Sequence, residues 1–115
     1  MSGNKKRGGS MKQNFGYVLA PKVVVEEKRK IRFMYREEPD NLQDSGWRFF
    51  SGDEDQEYVD NPNNIAIYDV NTIIKIDPDV EEFLESNYGV AFERQDTKEN
   101  FVPSKDYDLE SKEYN

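Results

Sequence analysis

The stretch Ser45–Asp60, SGWRFFSGDEDQEYVD, decides how the rest of the chain is interpreted. It holds the only tryptophan of the chain, Trp47, followed two residues later by Phe49. Because successive strand residues point to opposite faces, these two rings share one face of a strand. The sequence therefore predicts a strand over Gly46–Phe50, with Trp47 in the core or, alternatively, serving as a binding hot spot.

An acidic helix is predicted directly after this strand. Ser51 and Glu54 have the spacing of a capping box, which indicates a helix that starts near Gly52 and runs to about Asp60. Acidic residues in a first helical turn favour the helix dipole and remain in water, and that alone accounts for the composition. The alternative is a surface that contacts a partner, and the candidate residues are Asp53, Glu54, Asp55, Glu57, Tyr58 and Asp60.

A calcium loop is the third interpretation of the acidic residues. Asp53, Asp55 and Glu57 match the first positions of such a loop. The sixth position is Tyr58 where glycine is required, and the twelfth is Asn64 where glutamate is required. No metal site and no cofactor are therefore predicted.

Two strands are predicted before the central stretch. Phe15–Ala20 forms the first, and Pro21 ends it because proline cannot donate to a ladder. Val23–Val25 either extends this strand or begins a short helix, and β-branching favours the strand. Ile31–Arg36 alternates with period two, which indicates a half-buried strand.

The second half of the chain alternates short strands and helices. Strands are predicted over Ile65–Tyr68 and Val90–Arg94, and apolar stripes at helical spacing predict two helices between them. The first is capped by Asp69 or Asn71, and the second begins at Asp77-Pro78. The order β-β-β-α-β-α-α-β favours an α+β domain, a mainly antiparallel sheet of about five strands with two or three short helices packed on it.

Length and composition indicate one domain and narrow the function classes. For the 115 residues, we predict a disordered lead over 1–14, a single domain over 15–103 and an acidic flexible tail over 104–115.

There is no cysteine, so thiol catalysis and thiolate metal sites are excluded. There is no histidine either, which removes the commonest general base, and nothing singles out a carboxylate pair for catalysis. The sequence therefore predicts a protein that is not an enzyme.

Charge and hydropathy bear on partners and on location. The net charge is −8, and without the four basic residues of 1–14 the remainder carries 12 basic and 24 acidic residues, or −12. A domain with this negative charge repels phosphate backbones and attracts basic proteins, so no nucleic acid partner is expected. No apolar run reaches membrane-spanning length, and a cytoplasmic protein is expected.

Arginines near predicted strand ends offer a second candidate site. Arg36, Arg48 and Arg94 either pair with nearby carboxylates or recognise an anion, and pairing is the favoured interpretation. In the alternative, Arg36, Trp47 and Arg48 line a pocket for a small ligand.

Several phrases of the chain resemble a bacterial domain-of-unknown-function family, numbered twenty-one eighty-five, that overlaps immunity protein family thirty-three of the polymorphic toxin systems. The resemblance covers most of residues 15–94. The matching phrases are MYREEP at Met34–Pro39, DSGWRFFSGDED at Asp44–Asp55, EYVDNPNNIAIYDVNTI at Glu57–Ile73 and, more weakly, GVAFER at Gly89–Arg94.

The resemblance implies a protein that neutralises a cognate toxin by binding it, with no catalytic residues to carry over. A basic toxin would fit the acidic body of this chain. The alternative that stays open is a housekeeping binding module or small-ligand regulator, which would use the pocket near Trp47. Neither interpretation indicates an oligomeric state.

Overall fold

A six-stranded sheet organises the part of the chain that the structure, a computed structural model, describes, namely residues 15–104. The predicted lead, and all of the predicted tail except Ser104, lie outside the described residues. The strands are β1 Tyr17–Pro21, β2 Phe33–Arg36, β3 Asp44–Phe50, β4 Ile65–Asp69, β5 Val90–Glu93 and β6 Val102–Pro103. The α-helices are α1 Lys22–Glu26, α2 Gln56–Asp60 and α3 Val70–Ile76, and two 3-10 helices cover Pro62–Asn64 and Pro78–Phe83.

The sheet has the order β4-β1-β3-β2-β5-β6, in which only the β1–β3 pair is parallel. This confirms the predicted α+β class with a mainly antiparallel sheet and short helices. The sixth strand, β6, adds two residues at the edge, and Ser104 continues its ladder by donating its backbone N–H to the carbonyl of Ala91 at 2.9 Å. Prediction missed β6 because a two-residue strand has no measurable period.

α1, α3 and the Pro78–Phe83 helix pack on one face of the sheet. Partners in register share a face, so the pairing of Met34 with Phe49 and of Arg36 with Trp47 places these four side chains together. Trp47 and Phe49 are fully buried, and their rings stack with centroids 5.7 Å apart. α1, α3 and the Pro78–Phe83 helix complete the core, with side chains that include Val24, Ile73, Ile74, Val80 and Leu84.

The opposite face of the sheet carries a second aromatic group. Phe33 pairs with Phe50, and Tyr35 pairs with Arg48, so all four side chains lie on the face opposite Trp47 and Phe49. The Tyr35 and Phe50 rings stack with centroids 6.0 Å apart, and the Phe33 ring centroid lies 6.2 Å from that of Phe50. These three rings are half-buried, in contrast to the fully buried Trp47.

The expectation that Val23–Val25 extends the first strand is wrong. Lys22–Glu26 is a helix, in which the N–H of Glu27 donates to the carbonyl of Val23 at 3.0 Å. Tertiary packing overrides the β-propensity of valine, because the helical turn places Val24 at zero exposure in the core.

A buried ion pair joins the Pro78–Phe83 helix to β5. The guanidinium of Arg94 contacts the Asp77 carboxylate at 2.5 Å, and both side chains are fully buried. Arg94 also donates to Asp79 at 2.8 Å and to the carbonyl of Ile31 at 3.0 Å. Arg94 thus pairs with carboxylates, but not with nearby Glu93 or the acidic segment, because its partners lie 15 and 17 residues away.

Candidate partner-binding surface

The residues predicted to bind a partner form one segment, Asp53–Asp60, between β3 and β4. Its six candidates differ in exposure. Asp53, Asp55, Glu57 and Asp60 are exposed, whereas Glu54 and Tyr58 are half-buried. The segment therefore presents four carboxylates to solvent, and its other two side chains are partly covered.

The helix in this segment begins at Gln56, four residues later than predicted. Glu54 folds back instead, and its carboxylate accepts the backbone N–H groups of Ser51 and Gly52, each at 3.1 Å, as well as the Ser51 hydroxyl. Gly52 has a φ of +92°, which a helix cannot accommodate. The Ser51/Glu54 spacing thus closes a turn before the helix rather than capping it.

Three candidates hold the segment in place. Asp55 is the N-cap of α2 and accepts the N–H of Tyr58 at 2.8 Å. The Tyr58 hydroxyl accepts the N–H of Val23 at 3.3 Å, which ties α2 to α1. Asp53 accepts from Arg32 at 2.7 Å, and this ion pair offsets its charge.

Of the six candidates, Glu57 and Asp60 contribute least to the hydrogen bonds that hold the segment. Asp60 accepts from the side-chain amide of Gln56 at 2.7 Å, and both carboxylates project from exposed positions on α2. Within residues 15–104, no lysine or arginine forms an ion pair with Asp55, Glu57 or Asp60. Their negative charge is thus available to a partner.

The structure does not bring Arg36, Trp47 and Arg48 together in one pocket. Trp47 has zero exposure and donates its Nε1–H to the carbonyl of Leu84 at 3.0 Å. Arg36 lies on the same sheet face, donates to the carbonyl of Ser86 at 2.7 Å and places its guanidinium 4.7 Å from the ring centroid of Tyr88. Arg48 points to the opposite face.

Arg48 instead pairs with carboxylates, which was the favoured interpretation, but Asp44 as its buried partner was not predicted. It donates to both carboxylate oxygens of Asp44 at 2.9 Å and to Glu37 at 2.7 Å. Burial by itself would raise the pKa of Asp44, but hydrogen bonds from Arg48 and from the backbone of Asp40 and Gly46 outweigh it and lower the pKa from 3.8 to about 2. The four-residue spacing of Asp44 and Arg48, which places both on one strand face, was the available signal.

Metal binding and acid–base chemistry depend on how carboxylates are grouped and on their pKa values. Among residues 15–104, no three acidic side chains are grouped so that they could hold a metal ion. A general acid needs a raised pKa, and that of Asp44 is lowered. Within the same residues, no helix has the length and apolar character needed to cross a bilayer.

Comparison with known proteins identifies one family. A family model described as the Immunity protein Imm33 domain matches residues 18–105, well over half of the chain. No curated protein and no solved structure gives a significant match. The matched range contains the whole sheet except Tyr17, together with the complete Asp53–Asp60 segment.

Proposed function

Since the chain belongs to the Imm33 family of immunity proteins, we propose that it neutralises a cognate toxin in the bacterial cytoplasm by stoichiometric binding, without catalysis. Stoichiometric neutralisation needs a surface and no reaction centre. The surface proposed is Asp53–Asp60, and the observation that carries it is that Asp55, Glu57 and Asp60 are exposed without a cationic partner among residues 15–104.

The charge of the described domain supports a basic toxin. Residues 15–104 contain 10 lysines and arginines and 20 aspartates and glutamates, which gives a net charge of −10. Complementary charge accelerates encounter and orients the partners, and this effect weakens as salt screens the field. A toxin with a basic cleft would therefore be drawn toward this protein at low ionic strength.

The local hydrogen bonds support a preformed surface. The Glu54 turn, the Asp55 cap and the Tyr58–Val23 contact hold the backbone of the segment before any partner arrives. A surface that is already ordered loses less conformational entropy on binding, which favours affinity.

The test begins with capture of a partner from the source cell at low salt. The captured polypeptide is identified, produced separately and titrated calorimetrically against the full chain. Glu57→Lys with Asp60→Lys should weaken binding by about 100-fold or more, because two attractive charges become repulsive at the contact. Neither substitution removes a helix cap or an ion pair.

A charge-matched control separates local contact from global charge. Glu38→Lys with Glu82→Lys makes the same change in net charge at exposed positions outside α2. The control should retain most of the affinity. Equal losses of affinity in both double variants would reject the α2 surface. A captured toxin that keeps its activity when bound to this protein would reject neutralisation.

A further inference from the structure

A cavity of about 690 Å³ opens at one end of the sheet, where β2, β5 and β6 meet the loop 95–100. Phe33, Glu93 and Val102 come from the three strands, and Glu99 and Asn100 come from the loop. The volume lies within the range of ~300–1,000 Å³ that is typical of ligand sites. Gly52 also contributes to the wall, so the cavity borders the acidic segment that starts at Asp53.

Both cations in the cavity wall are already neutralised. Arg32 donates to Asp53 at 2.7 Å and to the carbonyl of Ser51 at 2.8 Å. Arg94 is fully buried between Asp77 and Asp79. Neither guanidinium is therefore available to offset further negative charge in the cavity.

The two carboxylates in the wall lack such compensation. The Glu93 carboxylate accepts the Ser104 hydroxyl at 3.2 Å, which is a contact with a neutral group. Neither Glu93 nor Glu99 forms an ion pair with any lysine or arginine of the described chain. The cavity thus combines two uncompensated negative charges with the apolar surfaces of Phe33 and Val102.

We propose that this cavity binds an arginine side chain presented by the protein partner. The methylene stem of arginine packs on apolar surface while its charged end stays near acceptors. The planar guanidinium can stack on an aromatic ring and donate to two carboxylates at once, which a lysine ammonium does less well. Charge complementarity and the mixed apolar and acidic wall both match this ligand.

The cavity deepens the function proposed above and rests on it for the identity of the partner. Because Gly52 lies in the cavity wall and Asp53 follows it, one basic partner can reach the cavity and α2 together. The arginine would supply one localised anchor in the cavity, and the α2 carboxylates would supply additional charge contacts.

The test uses small probes, so it does not depend on finding a toxin. Full-length protein labelled with nitrogen-15 is titrated with N-acetyl-arginine N-methylamide, and backbone amide shifts are recorded. The lysine and norleucine analogues are titrated in parallel. The arginine probe should saturate and shift the amides of Phe33, Glu93, Gln95, Asn100 and Val102, the lysine probe should bind more weakly, and norleucine should bind weakest.

Substitutions connect the binding to the two carboxylates. Glu93→Gln with Glu99→Gln should weaken the arginine probe by about tenfold, the combined effect expected for two partly exposed ion pairs. Glu26→Gln with Glu38→Gln changes the net charge equally at exposed sites outside the cavity and should leave binding unchanged. Amide-for-carboxylate changes keep the size of the side chain, and the amide oxygen introduced by Glu93→Gln can still accept from Ser104.

Two outcomes would overturn the proposal. Equal binding of norleucine and arginine would show an apolar site with no charge recognition. Amide shifts across α2 on addition of the arginine probe would show general attraction to an acidic protein. Unchanged binding of this probe to the Glu93→Gln, Glu99→Gln variant would show the same.

The cavity and the proposed function can fail separately. Saturable arginine binding in the cavity, together with a captured partner whose toxic activity persists, would support the cavity and reject neutralisation. Neutralisation without arginine binding in the cavity would support the function and reject the anchor.

Discussion

Asp44→Asn tests whether the ion cluster of Asp44, Arg48 and Glu37 stabilises the fold. The Asp44 side chain has zero exposure and accepts four hydrogen bonds, two from Arg48 and one each from the backbone N–H groups of Asp40 and Gly46. Asparagine preserves the shape but removes the charge, so the variant imitates the protonated carboxyl.

The magnitude follows from the pKa of Asp44, which falls from 3.8 to about 2 on folding. This lowering of the pKa corresponds to about 2 kcal/mol of unfolding free energy. Because the folded-state pKa is the lower one, this stability is fully present above the unfolded pKa. It is lost as the pH falls through 3.8 towards about 2.

Urea unfolding followed by the fluorescence of Trp47, the only tryptophan, measures the difference between wild type and Asp44→Asn. The difference should be about 2 kcal/mol at pH 7 and pH 5 and should shrink at pH 4 and pH 3. Glu37→Gln removes the charge of the other partner of Arg48; the Glu37 side chain is 40% exposed, so the change should cost at most about 1 kcal/mol.

A pH-independent difference would refute the role of the Asp44 charge. A loss below about 0.5 kcal/mol at pH 7, the range of an ordinary surface substitution, would refute the stabilising cluster itself.

Three further predictions concern stability and use the same unfolding assay, with circular dichroism where tryptophan is lost. Arg94→Met should lower the free energy of unfolding by about 3–5 kcal/mol, because it leaves the Asp77 carboxylate buried and unpaired. Adding Asp77→Asn should recover part of this loss. Strictly additive losses would contradict the pairing. Trp47→Phe should cost about 1–3 kcal/mol through a lost indole hydrogen bond and reduced packing, and an unchanged midpoint would contradict its place in the core. Gly89→Ala should lower the free energy of unfolding by ~1–2 kcal/mol, because the φ of +86° is strained for alanine. Gly46→Ala should lower it clearly more, because the added Cβ would also overlap the backbone carbonyl oxygen of Glu37. Equal losses would contradict this clash.

The acidic segment shows where local patterns were sufficient and where they were not. A short helix ending at Asp60 follows β3 as predicted, but it begins four residues later, because the Ser51/Glu54 spacing closes a turn. Asp55 and Asp60 fall on exposed positions. The same patterns could not assign Asp53 to Arg32, which is 21 residues away in sequence. Partners that distant are brought together by strand pairing, which local periodicity does not encode.

The cavity was not predicted from sequence for the same reason. Its wall combines β2, β5, β6 and the 95–100 loop, which become neighbours only in the folded sheet. In the sequence, nothing distinguishes Glu93 and Glu99 from the other acidic residues. The structure distinguishes them, because the nearby arginines pair with Asp53 and Asp77 instead.

The sequence by itself determined the class of the protein and most of its elements. Period-two and helical spacing located β1 to β5 and α3, because side-chain direction repeats with the geometry of each element. It also indicated Trp47 as core, and whole phrases of the chain pointed to the immunity protein family that residues 18–105 match.

Only the tertiary structure decided the strand order, the parallel β1–β3 pair, the helical state of Val23–Val25 and the partners of Arg48 and Arg94. Each depends on burial against residues remote in sequence, where packing and desolvation outweigh local propensity. A buried arginine must find a carboxylate wherever the fold places one, and that placement belongs to the assembled sheet.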